Sequence, residues 1–269
     1  MTRLTVVLLL LLLAACGGAS PDAAPPADPD GRPGQRVRVL DGDSLEAEVD
    51  GRRLEIRLVG INAPERGECW ADEARAALAA AVAPGPVQIE DVGGEDRYGR
   101  ILAYLWDDGG RLVNLVLVEG GAAMAVSGSH REVGAFLAAE EEAFAAGTGL
   151  WAPDACGASH GSRVSIDEIV YDPAGEDEGN EYVRLRNEGP LTVDIGGWTI
   201  RDESSVHRFR FPRGTLVGPG ESVTLRSGCA ETEPGTFWWG CGYDPVWSNS
   251  GDTVLLLDEH GNVAARRRY

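Results

Sequence analysis

The sequence predicts a mainly β chain with helices: a five-stranded barrel of the OB type, then an antiparallel sandwich. Three observations carry this. Between Arg36 and Trp106, five short runs of strand character are broken by turn signals and one alanine-rich stretch. Two runs of helical spacing follow. Beyond Arg163 the pattern changes to short strands alone, about seven in roughly a hundred residues, with Gly, Pro, Asn and Asp at the turns.

Taken in order, "RVRVL" and "SLEAEV" alternate around Asp41-Gly42-Asp43, and "RLEIRLVGI" follows a turn at Asp50-Gly51. The alanine-rich stretch predicts a helix over Ala71 to Ala83, closed by Pro84-Gly85. "PVQIED" and "RILAYLW" are the fourth and fifth strands, with a loop from Val92 to Gly99 between them. "RLVNLVLVEGGAAM" has helical spacing ended by Gly120-Gly121, and "REVGAFLAAEEEAFAAG" is a second amphipathic helix with Phe136 and Phe144 on its apolar side. Residues 35–157 thus form a first domain, residues 158–162 a Gly/Ser linker, and residues 163–269 a second domain. Its strands are "RVSIDEIVY", "EYVRLRN", "GGWTIRD", "HRFRFP", "SVTLRSG", "DTVLLLD" and "VAARRRY", with Val183, Leu185, Trp198, Val254 and Leu256 facing a core.

The N-terminus lies outside both domains. Arg3 precedes an apolar run from Val6 to Ala15, too short to span a bilayer as a mature helix and followed by small residues, as in a secretory signal. Leu13-Ala14-Ala15-Cys16-Gly17 resembles a bacterial lipobox, which implies a signal over residues 1–16 and a lipid on Cys16. Residues 17–34 are rich in Pro, Ala, Gly and Asp and read as a flexible tether. The expected location is therefore outside the cytoplasm, at a bacterial surface or in a periplasm, on a membrane anchor.

Cysteine use fits that compartment. With Cys16 lipidated, Cys69, Cys156, Cys229 and Cys241 remain, and four cysteines allow three pairings. The simplest is Cys69 with Cys156 and Cys229 with Cys241, since each pair then stays inside one domain. No Cys-x-x-Cys occurs, which argues for disulfides rather than a zinc ribbon. The formal net charge is −19, lysine is absent, and the first domain is itself acidic. A protein that binds nucleic acid by broad phosphate neutralisation carries a basic face. Any phosphate site here must be local, or assisted by a bound cation.

Local clusters of the required chemistry do occur. Phosphodiester hydrolysis needs an attacking water, a group to orient or deprotonate it, and positive charge around phosphorus. Arginine suits the last task because its planar fork stays charged and binds two phosphate oxygens. Glu65, fixed after Pro64, is placed for the water. The order Asp41-Gly42-Asp43-Ser44, Arg57, Asn62-Ala63-Pro64-Glu65, Asp96-Arg97-Tyr98-Gly99-Arg100 resembles the staphylococcal-nuclease-like (thermonuclease) family over roughly Arg36 to Trp151. The spacing of eight from Arg57 to Glu65 and the closing "GLW" belong to the same likeness.

That resemblance implies a calcium site, with manganese or magnesium as alternative ions, formed by Asp43, Asn62 and the carbonyl of Ala63. It implies Glu65 as general base or water-positioner, and Arg57 and Arg100 on the phosphate. Asp41 would support the site from behind, and Arg97 and Tyr98 would lie near phosphate and sugar. Asn62 stands where the best-known member has aspartate, so weaker calcium binding or a changed metal preference is expected. The aromatic pair that stacks on the nucleotide in the family falls near Ser127 to Ser129, where this chain has "AVSGSH". Base stacking is expected to be weak.

The second domain resembles the lamin-tail domain, an immunoglobulin-like sandwich, through "IDEIVYDPAG", "NEYVRLRN", "DIGGWTIRD", "HRFRFP" and "NSGDTVLLLD". Nothing in it reads as catalytic, and its ligand is unknown. The resulting expectation is a calcium-dependent endonuclease outside the cytoplasm that cuts DNA and RNA, preferably single-stranded, with little base specificity and products carrying 3'-phosphates. The alternative is an inactive lipoprotein that binds nucleic acid or another polyanion. Other signals read as structural. Gly157-Ala158-Ser159-His160-Gly161 matches G-x-S-x-G but lacks the strand-to-helix context that motif needs. The four histidines have no paired spacing, "DPAGEDEGNE" lacks the order of an EF-hand loop, and Arg266-Arg267-Arg268 is either a nucleic-acid contact or an exposed strand end.

Overall fold

The computed structural model describes residues 31–269 except positions 84, 160, 176–178, 205, 232, 243 and 244. The signal, Cys16 and most of the tether lie outside the described residues, as do His160 and the acidic run at 176–178. The first domain comprises β1 (Arg32–Val39), β2 (Ser44–Val49), β3 (Arg52–Leu58), β4 (Ile61–Asn62), α1 (Ala71–Val82), β5 (Val87–Glu95), β6 (Ile101–Trp106), α2 (Val113–Glu119), β7 (Met124–Ala125) and α3 (Val133–Ala146). Five of these strands close a barrel in the order β1-β2-β3-β6-β5, the architecture the strand pattern predicts.

Local chemistry sets the register that matters for the site. Asp50 and Gly51 both take positive φ, 51° and 74°, as a tight primed hairpin turn requires. The hairpin they form pairs Ser44 with Arg57, so Asp43 lies beside the Arg57 side chain. Leu45, Ala47, Ile56, Leu58, Ile89 and Leu105 fill the interior. One expectation changes. β1 begins at Arg32, inside the stretch read as tether, because Arg32–Gly34 pairs with Val87–Ile89. α2 stops at Glu119, just before the Gly120-Gly121 expected to end it, and beyond them Met124–Ala125 pairs with Ile61–Asn62 as a short strand.

Among the described residues the second domain has ten strands: β8 (Val164–Val170), β9 (Tyr182–Asn187), β10 (Val193–Asp194), β11 (Thr199–Arg201), β12 (Arg208–Arg210), β13 (Leu216–Val217), β14 (Ser222–Arg226), β15 (Thr236–Trp238), β16 (Thr253–Leu257) and β17 (Val263–Arg268). They form four-stranded sheets β12-β11-β16-β17 and β15-β14-β9-β8, plus the pair β10-β13. β10, β13 and β15, two or three residues long, are not among the seven predicted strands: alone they display no period of two, while β11 and β12 stand inside longer predicted runs. Val183, Leu185, Trp198, Val254 and Leu256 are buried in the core between the sheets.

The two domains share a third apolar cluster, in which Met124, Ala143, Leu150 and Trp151 of the first surround Leu255 of the second. The disulfides are Cys69–Cys156 and Cys229–Cys241. The first closes a separation of 87 residues, and in the chain-entropy view such a loop contributes about 4.6 kcal/mol. It lies at the domain seam: a Cβ on Gly261, whose φ is +98°, would come within 3.1 Å of the Cys69 Cβ. The arginine run is not a free basic patch. Arg266 and Arg268 both pair with Glu140 and Glu141 of α3, and Arg267 donates to the carbonyls of Ile166 and Asp167. Phe144 packs edge-on against Trp151 with the Arg266 guanidinium 5.0 Å from its ring centre. The apolar side of α3 thus turns partly toward the seam rather than the barrel.

Candidate active site

The turn before β2 and the end of β3 meet at Asp43. Its Oδ2 accepts the Ala63 N–H at 2.7 Å and lies 2.6 Å from Arg57 Nη1. Arg57 Nη2 donates to Asn62 Oδ1 at 3.0 Å. One guanidinium therefore bridges a carboxylate and an amide oxygen, both buried. Asp41 supports the turn by accepting the Asp43 N–H at 3.1 Å. Gly42 lets the turn lie flat: a Cβ there would sit 2.6 Å from the Ala63 Cβ and 2.7 Å from that of Ala74.

Arg100 joins through Ser44, donating to Ser44 Oγ at 2.9 Å while Ser44 donates to Asp43 Oδ1 at 3.0 Å. Asp96 orients Arg100, pairing with its Nε at 2.7 Å and accepting the N–H groups of Tyr98 and Arg100. Tyr98 is exposed, with the guanidinium carbons of Arg97 and Arg100 at 4.9 and 5.4 Å from its ring centre. Asp41, Asp43, Arg57, Asn62, Ala63, Arg97, Tyr98 and Arg100 are thus one connected group. Glu65 sits just beyond it on the exposed turn after Pro64, its N–H donating to Glu68 Oε2 at 2.8 Å.

The sequence reading misses the second domain's share. Asn62 Nδ2 donates to the carbonyl of Glu203 at 3.0 Å, across 141 residues. The Glu203 carboxylate accepts the Ser127 N–H at 2.5 Å and its hydroxyl at 3.0 Å. Arg208 pairs with Glu68, and Arg201 lies 3.9 Å from the same carboxylate. Glu203 therefore occupies the surroundings of Ser127, where the likeness to known nucleases places stacking aromatics. No local signal announces these contacts. Ser44, by contrast, stands in the Asp41-Gly42-Asp43-Ser44 motif, whereas Glu68, three residues past Glu65, was not singled out.

Burial raises three carboxylates. Asp43 is pushed up to about 6 by burial, with Arg57 opposing. Glu203 is pushed up to about 7 by burial and by Asp252, and Asp252 to about 6 by burial and by Asp202. Each folded value lies above the unfolded one, so the native state holds more protons between about pH 4 and pH 7, and unfolding free energy falls as pH rises through that window. On the other side, the N–H groups of Arg100 and Tyr98 and the Arg100 side chain hold Asp96 low despite its burial. That contribution is lost as pH falls through its depressed value. Urea titrations from pH 4 to 9 are expected to show maximal stability on the acid side of pH 6. Glu203→Gln keeps the Ser127 contacts without the buried charge, so it should stabilise the protein at pH 8 and flatten the slope above pH 6. A variant no more stable than wild type at pH 8 would contradict this.

The donor set fits a hard cation. Asp43, Asn62 and the carbonyl of Ala63 offer oxygen only, and the raised Asp43 pKa marks a buried negative charge that Arg57 leaves incompletely compensated. Among the described residues no three or more His, Cys, Asp or Glu side chains gather as a metal cluster, so any site rests on this mixed set.

Residues 55–153 match the staphylococcal nuclease homologue model. Protein ParB of Escherichia coli is 35% identical over 127 residues, 44% of this chain and 71% of ParB. The chain belongs to the staphylococcal nuclease homologues. Behind the nuclease domain, residues 157–269 match the lamin tail domain. The micrococcal nuclease of Shigella flexneri is 34% identical over 100 residues, 34% of this chain and 57% of that protein. The thermonuclease of Staphylococcus hyicus is 32% identical over 77 residues, 26% of this chain and 46% of that protein. The chain spans less than two thirds of these last two relatives.

Proposed function

We propose that this chain is a metal-dependent endonuclease that hydrolyses phosphodiester bonds of DNA and RNA, preferably single-stranded and with little base specificity. The observation that carries the reading is the convergence of Asp43, Arg57, Asn62 and Arg100 on one end of the barrel, beside the turn that holds Glu65. In it, Arg57 and Arg100 bind the phosphate and stabilise charge developing on its oxygens. Glu65 orients the attacking water and takes its proton. Arg97 and the exposed ring of Tyr98 hold the neighbouring sugar and phosphate. Asp43, Asn62 and the Ala63 carbonyl would hold a divalent cation, calcium by family likeness with manganese or magnesium as alternatives. That cation would supply further positive charge on the phosphate. The endonuclease names of several relatives support the reaction class, including that of a Haemophilus influenzae protein 34% identical over 118 residues. The absence of aromatics from Ser127 to Ser129 supports weak base reading.

The N-terminal lipobox supports an exported lipoprotein held by Cys16. Mass spectrometry of the cellular protein tests this, and an unmodified N-terminus elsewhere would end it. The activity test uses purified mature protein and a single-stranded oligonucleotide. Cleavage is expected with calcium or manganese and none with chelator. A folded protein that fails to cut with calcium, manganese or magnesium, yet retains the oligonucleotide, would be the polyanion-binding lipoprotein instead.

A further inference from the structure

The lamin tail domain touches the nuclease site at two points, each one residue removed from a proposed catalytic group. The first is Arg208 on β12. It pairs with Glu68 through Oε1, and the other oxygen of Glu68 accepts the backbone N–H of Glu65 at 2.8 Å. Arg201, almost wholly buried, lies 3.9 Å from that second oxygen. A guanidinium, a carboxylate and an amide thus run in series from the sandwich to the Glu65 backbone. Glu68 and Arg208 keep only about a quarter of their side chains exposed, 26% and 28%, so their pairing is less screened than a surface ion pair. Burial lowers the pKa of both arginines, and in both the charge of Glu65 opposes that lowering, which places both guanidinium groups within electrostatic reach of it.

The second point is Asn62. Its amide is used on both sides: Oδ1 accepts from Arg57, and Nδ2 donates to the Glu203 carbonyl, each at 3.0 Å. The Glu203 loop is fixed in turn by Ser127 of the nuclease domain. An aspartate at 62 could take the first contact but would set a carboxylate oxygen against the Glu203 carbonyl, with no proton between them. An amide at position 62 satisfies both contacts, as a carboxylate would not.

A seam that only joined two domains would need no more than the shared cluster around Leu255 and the arginine pairs on α3. Here it also reaches the Glu65 turn and the Arg57 partner. We propose that the lamin tail domain is part of the active-site scaffold, with Arg208 a positioning residue for Glu65 and the Glu203 carbonyl a positioning group for Asn62 and Arg57. This rests on the nuclease reading above.

The test compares wild-type mature protein with Arg208→Ala, Arg208→Lys and Arg268→Ala in steady-state cleavage of a single-stranded oligonucleotide under the activating cation, with melting curves beside each. Arg208→Ala is expected to lower kcat about 10- to 100-fold with KM within about two-fold, the size expected when a reacting group is misplaced. Arg208→Lys should recover part of the loss. Arg268→Ala cuts the same seam at α3 and should leave kcat within about two-fold of wild type. An unchanged kcat in Arg208→Ala overturns the proposal, as do equal kcat losses in Arg208→Ala and Arg268→Ala that track melting. If Arg208→Ala does not fold, Glu68→Gln decides: it keeps the acceptor for the Glu65 N–H while weakening the Arg208 pair, and full kcat in that variant overturns the proposal. A wild type inert with every cation withdraws the nuclease reading and this one together, whereas an active wild type beside an unaffected Arg208→Ala withdraws this one alone.

Discussion

Glu65→Gln is expected to leave a folded protein that still binds single-stranded DNA but cleaves it about 10²- to 10⁴-fold more slowly, the usual worth of a general base. The fold should survive because Glu65 is exposed and its structural contact is made by its backbone N–H, which glutamine retains. The amide also keeps the shape of the carboxylate, so KM should hold while kcat falls, the signature of an interaction made only in the transition state. A fluorescent oligonucleotide assay with calcium, paired with filter binding, separates the two quantities. If the variant cuts as fast as wild type, Glu65 is not the base and the role must move to another group near Arg57. If neither protein cuts and both bind, the barrel is a receptor for polyanions.

The parts of this site that were legible in the sequence are those built by neighbours in the chain. Asp41-Gly42-Asp43-Ser44 is a turn whose own residues hold it, Asp96 orients Arg100 four residues on, and the Asp50-Gly51 hairpin sets Ser44 against Arg57. Turn chemistry and a period of two are enough to place all three. The barrel was legible for the same reason, since its strands are long enough to alternate. β7, β10, β13 and β15 were not: two or three residues carry no period, whereas the equally short β11 and β12 stand inside the longer runs "GGWTIRD" and "HRFRFP". Asn62 shows the limit most clearly. In the sequence it reads as a metal ligand that has lost a charge. In the fold it is an amide with two partners, one of them 141 residues away. The arginine run at 266–268 is similar: Arg266 and Arg268 pair with Glu140 and Glu141, and only the docked domains bring them together.

Arg57→Ala is expected to lower both turnover and stability, and the two losses answer different questions. Loss of a charged donor aimed at a phosphate oxygen typically costs about 10²- to 10³-fold in kcat. The stability loss concerns Asp43, whose side chain is 8% exposed and lies 2.6 Å from Arg57 Nη1. Removing one partner of such a pair leaves a buried charge uncompensated, which costs about 3–5 kcal/mol. The pH dependence identifies the partner. Asp43 already titrates near 6 because burial outweighs Arg57, and without the arginine its folded pKa rises further above the unfolded value. The variant should therefore be most destabilised at pH 8, where Asp43 must be charged to match the unfolded chain, and much less at pH 5, where it takes up a proton. Urea titrations at the two pH values read this directly, and equal destabilisation at both would show that Asp43 is not what Arg57 neutralises. Because the pH dependence of the melt comes from the Asp43 ion pair and not from the contact with Asn62, it holds under either functional reading. A pH-dependent melt beside lost cleavage places Arg57 in both the scaffold and the chemistry, whereas the same melt in a protein that never cleaves marks the cluster as architecture.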